Sequence, residues 1–200
     1  MQCWARTNID VTSSLKIDLK DYLLSDPYRP SEHALYMPDV GGIWTLTPDV
    51  LFSKEWIDYI RNDLGLELDI AQIFFRQPYY QHPGAHVDVA KDLTIYGAAL
   101  NWTLDIDDAD MVWYNYPDQD PNFTQRSASD VNYEWPLGQL TELDRCTVGQ
   151  QPTLVRTDVP HSVDMRSNER WAVSVRLADH SSWQDYRTSL QERLIDETLV

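Results

Sequence analysis

The chain has 200 residues, enough for one globular domain, and its 8 Trp and 11 Tyr argue against a disordered protein. Its formal net charge of -16 would repel nucleic acids and anionic membranes, so neither is expected as a partner. Two cysteines exclude a disulfide framework, and the lack of an apolar leader or a long apolar stretch predicts a cytoplasmic protein.

Helical and extended patterns follow one another along the chain. Residues 1–45 mix short alternating runs with turn residues such as Gly41-Gly42. Thr47-Pro48 then predicts a helix start, and apolar residues recur at helical spacing as far as Gly65. A second apolar stripe at helical spacing begins near Ser182 and predicts a closing helix.

Between the two helices lies a β-rich region that begins at Ile73. Further strands are predicted over residues 93–104, 111–116, 152–157 and 171–177. Many short strands between helices predict a mainly β protein, a jelly roll flanked by N-terminal and C-terminal helices. We expect one domain over residues 1–200, made of N-terminal support (1–70), a jelly-roll core (71–180) and a C-terminal helix (181–200).

A candidate metal site lies in His86-Val87-Asp88. In an extended strand, residues two apart project to the same face, so His86 and Asp88 can both point at one ion. His161, at the end of a predicted strand, is the best candidate for a third ligand. Two imidazoles and one carboxylate form the facial triad that binds non-haem iron(II). Taken alone, His-x-Asp is also common in turns with a hydrogen-bonded histidine.

The segment 170–177 strengthens the metal interpretation, because it alternates strictly as a strand. One face carries Trp171, Val173, Val175 and Leu177, which suits packing beneath a helix. The other face carries Arg170 and Arg176 with small residues between them, which suits a cavity that holds an anion. A guanidinium binds a carboxylate through two parallel hydrogen bonds, so Arg170 could hold the C5 carboxylate of 2-oxoglutarate.

Together these motifs resemble the 2-oxoglutarate- and iron(II)-dependent dioxygenase superfamily, in its prolyl-hydroxylase-like or small phage- and bacterial-type hydroxylase branches. The matching pieces, within about residues 70–180, are His86-Val-Asp88, the strand 99–104, Pro160-His161-Ser-Val163 and Arg170 with its alternating strand. The resemblance implies a double-stranded β-helix, iron(II) on His86, Asp88 and His161, and 2-oxoglutarate and O2 as cosubstrates. It also implies hydroxylation of a small molecule or an amino acid, with succinate as coproduct; a peptide is the alternative substrate.

The chain also departs from that family pattern. No Tyr stands where a second contact to the C5 carboxylate is expected, and Asn101, Thr103 or Tyr96 could take that role. Arg176 is spaced from Arg170 as in nucleic-acid-demethylating members, and we expect it to contact the C1 end of 2-oxoglutarate or an acidic group of the substrate. Two other classes stay open: a zinc-dependent hydrolase or isomerase on the same triad, and a non-catalytic jelly-roll binding protein.

Overall fold

The computed structural model describes most of the chain. The described residues are 1–11, 14–16, 18–26, 33–37, 40–78, 84–90, 92–104, 109–116, 118, 120–125, 131–165, 169–178 and 181–195. Among the helices within these ranges, none has the length and apolar character needed to cross a lipid bilayer.

Two antiparallel sheets make up the described part of the chain. The larger sheet has seven strands, in the order β1 (Trp4–Arg6), β11 (Thr153–Arg156), β6 (Ala98–Thr103), β13 (Arg170–Leu177), β4 (Leu68–Arg76), β3 (Gly41–Leu46) and β2 (His33–Met37). The smaller sheet has six, in the order β10 (Glu142–Thr147), β7 (Asp110–Tyr114), β12 (His161–Asp164), β5 (Gly84–Asp88), β9 (Val131–Pro136) and β8 (Asn122–Gln125).

The chain passes back and forth between the two sheets. Strands β4, β6, β11 and β13 belong to the larger sheet, while β5, β7 and β12, which lie between them in the chain, belong to the smaller one. Side chains from both sheets line one shared cavity, so the sheets face each other across it. This arrangement is a double-stranded β-helix, or jelly roll, as the sequence predicted.

The main hydrophobic core lies on the outer face of the larger sheet, beneath the helices. These are α1 (Leu19–Ser25), α2 (Pro48–Leu51), α3 (Lys54–Asn62) and α4 (Trp183–Ser189). Trp171 is stacked on Phe75 and Trp44, with ring centroids 4.7 and 6.0 Å apart, and belongs to the same buried cluster as Ile60 and Tyr186. The apolar face predicted for residues 171–177 is therefore confirmed as the helix-covered face, which leaves the arginine face turned to the cavity.

Of the two predicted helices, one is divided in the structure and the other begins where it was predicted to begin. The helix predicted from Thr47 to Gly65 is two helices, because Phe52 is extended and pairs with Leu15, and a second helix then starts after Ser53. The Ser53 side chain accepts a hydrogen bond from the Trp56 backbone at 3.2 Å, a typical N-cap. The closing helix does begin after Ser182, as predicted.

The prediction of a turn at Gly41-Gly42 is wrong, since both residues begin β3. Gly41 has φ +140°, a conformation that side chains disfavour, and a Cβ there would overlap the backbone of Phe75 on β4. Glycine is needed for this close approach of two strands. Strands β1, β2, β3, β8, β9 and β10 were not predicted individually.

Candidate metal centre

The three predicted ligands come together on neighbouring strands of the smaller sheet. His86 and Asp88 lie on β5, while Val87 between them belongs to a separate apolar cluster with Trp135. His161 was expected at the end of a strand, but it is the first residue of β12, directly opposite His86 in antiparallel register. Residues paired in this way project to the same face, so β12 delivers the third side chain to the face that carries the other two.

The spacing of these groups suits a single metal ion. One ligand atom from each residue can be chosen so that all three lie within 4.8 Å of one another. His86 Nε2 lies 3.6 Å from Asp88 Oδ1, and His161 Nε2 lies 3.8 Å from Asp88 Oδ2. Ligand atoms that share one face of an octahedron around an ion at roughly 2.0–2.2 Å lie about 3 Å apart, so the three donors would move closer together on binding the ion. Two imidazoles and a carboxylate fit iron(II), and they also suit zinc.

The His161 ring is oriented for metal binding by its own backbone. Its Nδ1 lies 2.9 Å from the carbonyl oxygen of Val159, and a carbonyl can only accept a hydrogen bond. Nδ1 therefore carries the proton, which leaves the lone pair on Nε2, the nitrogen that faces Asp88. Burial lowers the pKa of His161 below its usual value, which favours the neutral imidazole that a metal requires.

Asp88 is held by a buried guanidinium from the opposite sheet. Arg176 Nη2 lies 2.8 Å from Asp88 Oδ2 and donates to Gln72 Oε1 at 2.8 Å, while Nη1 donates to Ser174 Oγ. Ser174 in turn donates to Asn101 Oδ1 at 2.6 Å. Because a buried charge is costly unless paired and hydrogen-bonded, this network accounts for Arg176 lying in the interior.

A cavity between the sheets opens onto the triad. It is lined from the smaller sheet by His86, Met111, His161 and Val163, and from the larger sheet by Phe74, Arg76, Asn101, Arg170, Ala172, Ser174 and Arg176, among others. Its volume is about 90 Å³. Since a cavity needs about 10–15 Å³ to hold one water, this one has room for several water-sized groups.

The residues predicted to bind a cosubstrate have different positions. Arg170, 8% exposed, and Asn101 both line the cavity. Tyr96 and Thr103 are buried, but neither belongs to the described lining, and the Tyr96 hydroxyl donates to Asp69.

Sequence reasoning missed two polar residues of β4. Gln72 accepts a hydrogen bond from Arg176, and Arg76 lines the cavity beside Arg170. Both share strand parity with Phe74, while Ile73 and Phe75 point into the core. That parity was the available signal for an inward-facing polar strand.

Comparisons with known proteins concern the fold. No protein-family model matches this sequence, and no curated protein is significantly similar to it. The oxalate decarboxylase of Lactobacillus farciminis is 10% identical, with 75% of this chain and 31% of that chain aligned at a TM-score of 0.37. The 11S allergen of Cocos nucifera is 10% identical, with 82% and 37% aligned at a TM-score of 0.39. A prolyl-4-hydroxylase of Pseudomonas putida is 14% identical, with 88% and 92% aligned at a TM-score of 0.42.

This chain therefore spans about a third of the length of the first two of these proteins, and nearly all of the third. At such low identities the similarity is one of fold alone. What the site does has to be argued from its own residues.

Proposed function

We propose that this chain is an iron(II)- and 2-oxoglutarate-dependent oxygenase that hydroxylates a small molecule or an amino acid. The observation that carries the proposal is that one cavity is lined both by the histidines of a His-Asp-His triad and by a buried arginine, Arg170. A hydrolytic zinc site or a vestigial jelly roll has no need of that cation. A cosubstrate that chelates the metal at one end and carries a carboxylate at the other end does need it.

Each residue of the site has a role in this proposal. His86, Asp88 and His161 would hold iron(II), and the ion would couple the oxidative decarboxylation of 2-oxoglutarate to substrate hydroxylation. Arg176 positions Asp88 through the ion pair at 2.8 Å. Arg170 binds the C5 carboxylate, and Ala172 and Ser174, which lie between the two arginines on β13, leave room for the carbon chain.

The length of β13 is compatible with this placement. Six residues separate Arg170 from Arg176, so their Cα atoms are about 20 Å apart at the usual strand rise of ~3.3 Å. Both side chains are long and can lean toward each other across the small residues between them. A five-carbon dicarboxylate is shorter than this Cα separation, so Arg170 would have to extend along the strand toward the metal to reach the C5 carboxylate.

Anaerobic spectroscopy tests the proposal directly. Purified protein is titrated with iron(II) and then with 2-oxoglutarate in the absence of oxygen. A metal-to-ligand charge-transfer band that appears only with both additions is the expected result. If zinc binds and 2-oxoglutarate produces no band with iron, the hydrolase alternative is favoured.

A further inference from the structure

A second arginine stands beside Arg170 in the cavity. Arg170 begins β13 and Arg76 ends β4, and the two are direct partners in antiparallel register. Residues opposite each other on antiparallel strands project to the same face, and both side chains line the cavity. Both guanidinium groups can therefore reach one anion in the cavity, and such an anion would relieve the repulsion between their like charges.

Arg76 is held in position by its surroundings. Its Nη1 donates to the carbonyl oxygens of Gly42 and Phe75, at 3.1 and 3.0 Å, and the guanidinium lies 5.5 Å from the centroid of the Phe74 ring. Two anchoring carbonyls and an aromatic face fix the plane of the group. An arginine ordered in advance loses little conformational freedom when it binds an anion.

The charge around the cavity also favours an anion. Among the described residues that line it, three are arginines and none is acidic. Asp88, close to the lining, is paired with Arg176. The charged side chains that the described lining presents to the cavity are therefore all cationic, in a chain whose net charge is -16.

We propose that Arg76 and Arg170 together bind the C5 carboxylate of 2-oxoglutarate, which makes Arg76 a specificity-determining residue for 2-oxo acids with a distal carboxylate. This inference rests on the proposed function. A carboxylate offers about four lone-pair sites on two oxygens, enough to accept hydrogen bonds from two guanidinium groups. The sequence suggested Asn101, Thr103 or Tyr96 for the second contact to the C5 carboxylate, and this proposal assigns that contact to Arg76 instead.

Two of the alternative candidates have other partners, and the third, Thr103, is not among the described residues that line the cavity. The Tyr96 hydroxyl donates to Asp69, and the Asn101 side-chain oxygen accepts from Ser174 at 2.6 Å. The side chain of Asn101 is thereby part of the network around Arg176, at the other end of β13 from Arg170.

The test compares two ligands of equal chain length. Affinities for 2-oxoglutarate and for 2-oxopentanoate, which lacks the C5 carboxylate, are measured on the iron(II)-loaded protein without oxygen. In Arg76→Gln, affinity for 2-oxoglutarate should fall roughly ten- to a hundredfold, the usual effect of losing a charged hydrogen bond. Affinity for 2-oxopentanoate should not change, because that ligand makes only the metal contact.

Three further variants complete the design. Arg170→Gln should show the same selective loss, and the double variant should lose less than the product of the two single losses, because both residues contact one group. Arg187→Gln is the matched control, since Arg187 is also half-buried and lies over an aromatic ring, that of Trp183, on helix α4. It should leave both affinities unchanged.

The possible outcomes separate the inference from the proposed function. If Arg76→Gln weakens both ligands equally, Arg76 has a structural role and the inference is wrong. It is also wrong if Arg170→Gln alone loses selectivity. If wild-type protein binds 2-oxoglutarate no better than 2-oxopentanoate, the proposed function fails as well.

Discussion

Arg176 lies 2.8 Å from a carboxylate oxygen of Asp88, so a residue of the larger sheet is ion-paired with a proposed metal ligand of the smaller sheet. Both residues are 5% exposed. The sequence had suggested that Arg176 contacts 2-oxoglutarate or an acidic substrate group. In the structure its guanidinium contacts Asp88, Gln72 and Ser174, and it still lines the cavity.

Replacing Arg176 by Met keeps the length of the side chain and removes its charge. In the metal-free protein this leaves a buried carboxylate without its cation, and breaking a buried pair typically costs about 3–5 kcal/mol. A bound divalent ion supplies replacement charge, so the loss should be smaller in the metal-loaded protein. Urea unfolding of both forms measures the two losses. Equal losses would indicate that Arg176 contributes through packing alone.

Removing a metal ligand should abolish turnover. His86→Ala, Asp88→Ala and His161→Ala each take away one of three donors, so iron retention and iron-dependent succinate formation should both be lost. Asp118→Ala, which removes an exposed carboxylate, is the control and should retain both. Full turnover in His161→Ala would mean that the third ligand lies elsewhere.

A methyl group at Gly84 should disturb the metal centre through the backbone. A Cβ there would lie 2.7 Å from the carbonyl oxygen of Trp135 on β9. The backbone of β5 would therefore have to move away from β9 at a point only two residues before His86. Gly84→Ala should therefore weaken metal binding measurably, as titration with iron(II) would show. Gly138→Ala is the matched control, because a Cβ at Gly138 meets nothing within 4 Å. Equal metal affinity in both variants would contradict this prediction.

The buried thiol of Cys3 should be unreactive at neutral pH. Burial, and then the charge of Asp144, raise its pKa from 9.0 to about 11. At pH 8 the reactive thiolate should thus be about a hundredfold scarcer than in the unfolded chain. Alkylation by iodoacetamide in a Cys146→Ser background should therefore be slower without urea than with it by roughly a hundredfold or more, because burial also blocks access to the thiol. Similar rates in both states would contradict the shift.

The same shift has a consequence for stability. Because the folded pKa of Cys3 lies above the unfolded one, its contribution is fully present below pH 9 and is lost as the pH rises from 9.0 to about 11. Unfolding free energies of wild type and Cys3→Ala should therefore converge over that range. A constant difference between the two proteins would argue against this linkage.

The parts of the site that the sequence could predict depend on local spacing. His86 and Asp88 are two residues apart on one strand, and the eight residues of β13 alternate without interruption, so strand parity is enough to place them. The contact between Arg176 and Asp88 could not be predicted, because it depends on two different sheets facing each other. Arg76 was missed because Phe74 lies on the same face of β4. An aromatic residue among the polar ones makes that face look apolar in the sequence.

The boundaries that failed share a cause as well. Gly41-Gly42 is a turn signal in isolation, but the pair serves the close approach of β3 to β4. Phe52 fits a continuous helix by its apolar character, but its backbone pairs with Leu15 and the helix breaks there. In both places a contact with a distant segment overrides the local pattern.

Three arginines inside a chain of net charge -16 would also determine how the proposed anionic cosubstrate arrives. At long range the dianion is repelled by the molecule as a whole, and the Debye length at physiological ionic strength is only about 8 Å. Added salt screens this far field more than it screens guanidinium groups buried between two sheets. The association rate of 2-oxoglutarate should therefore increase with ionic strength, the reverse of electrostatic steering by a complementary surface.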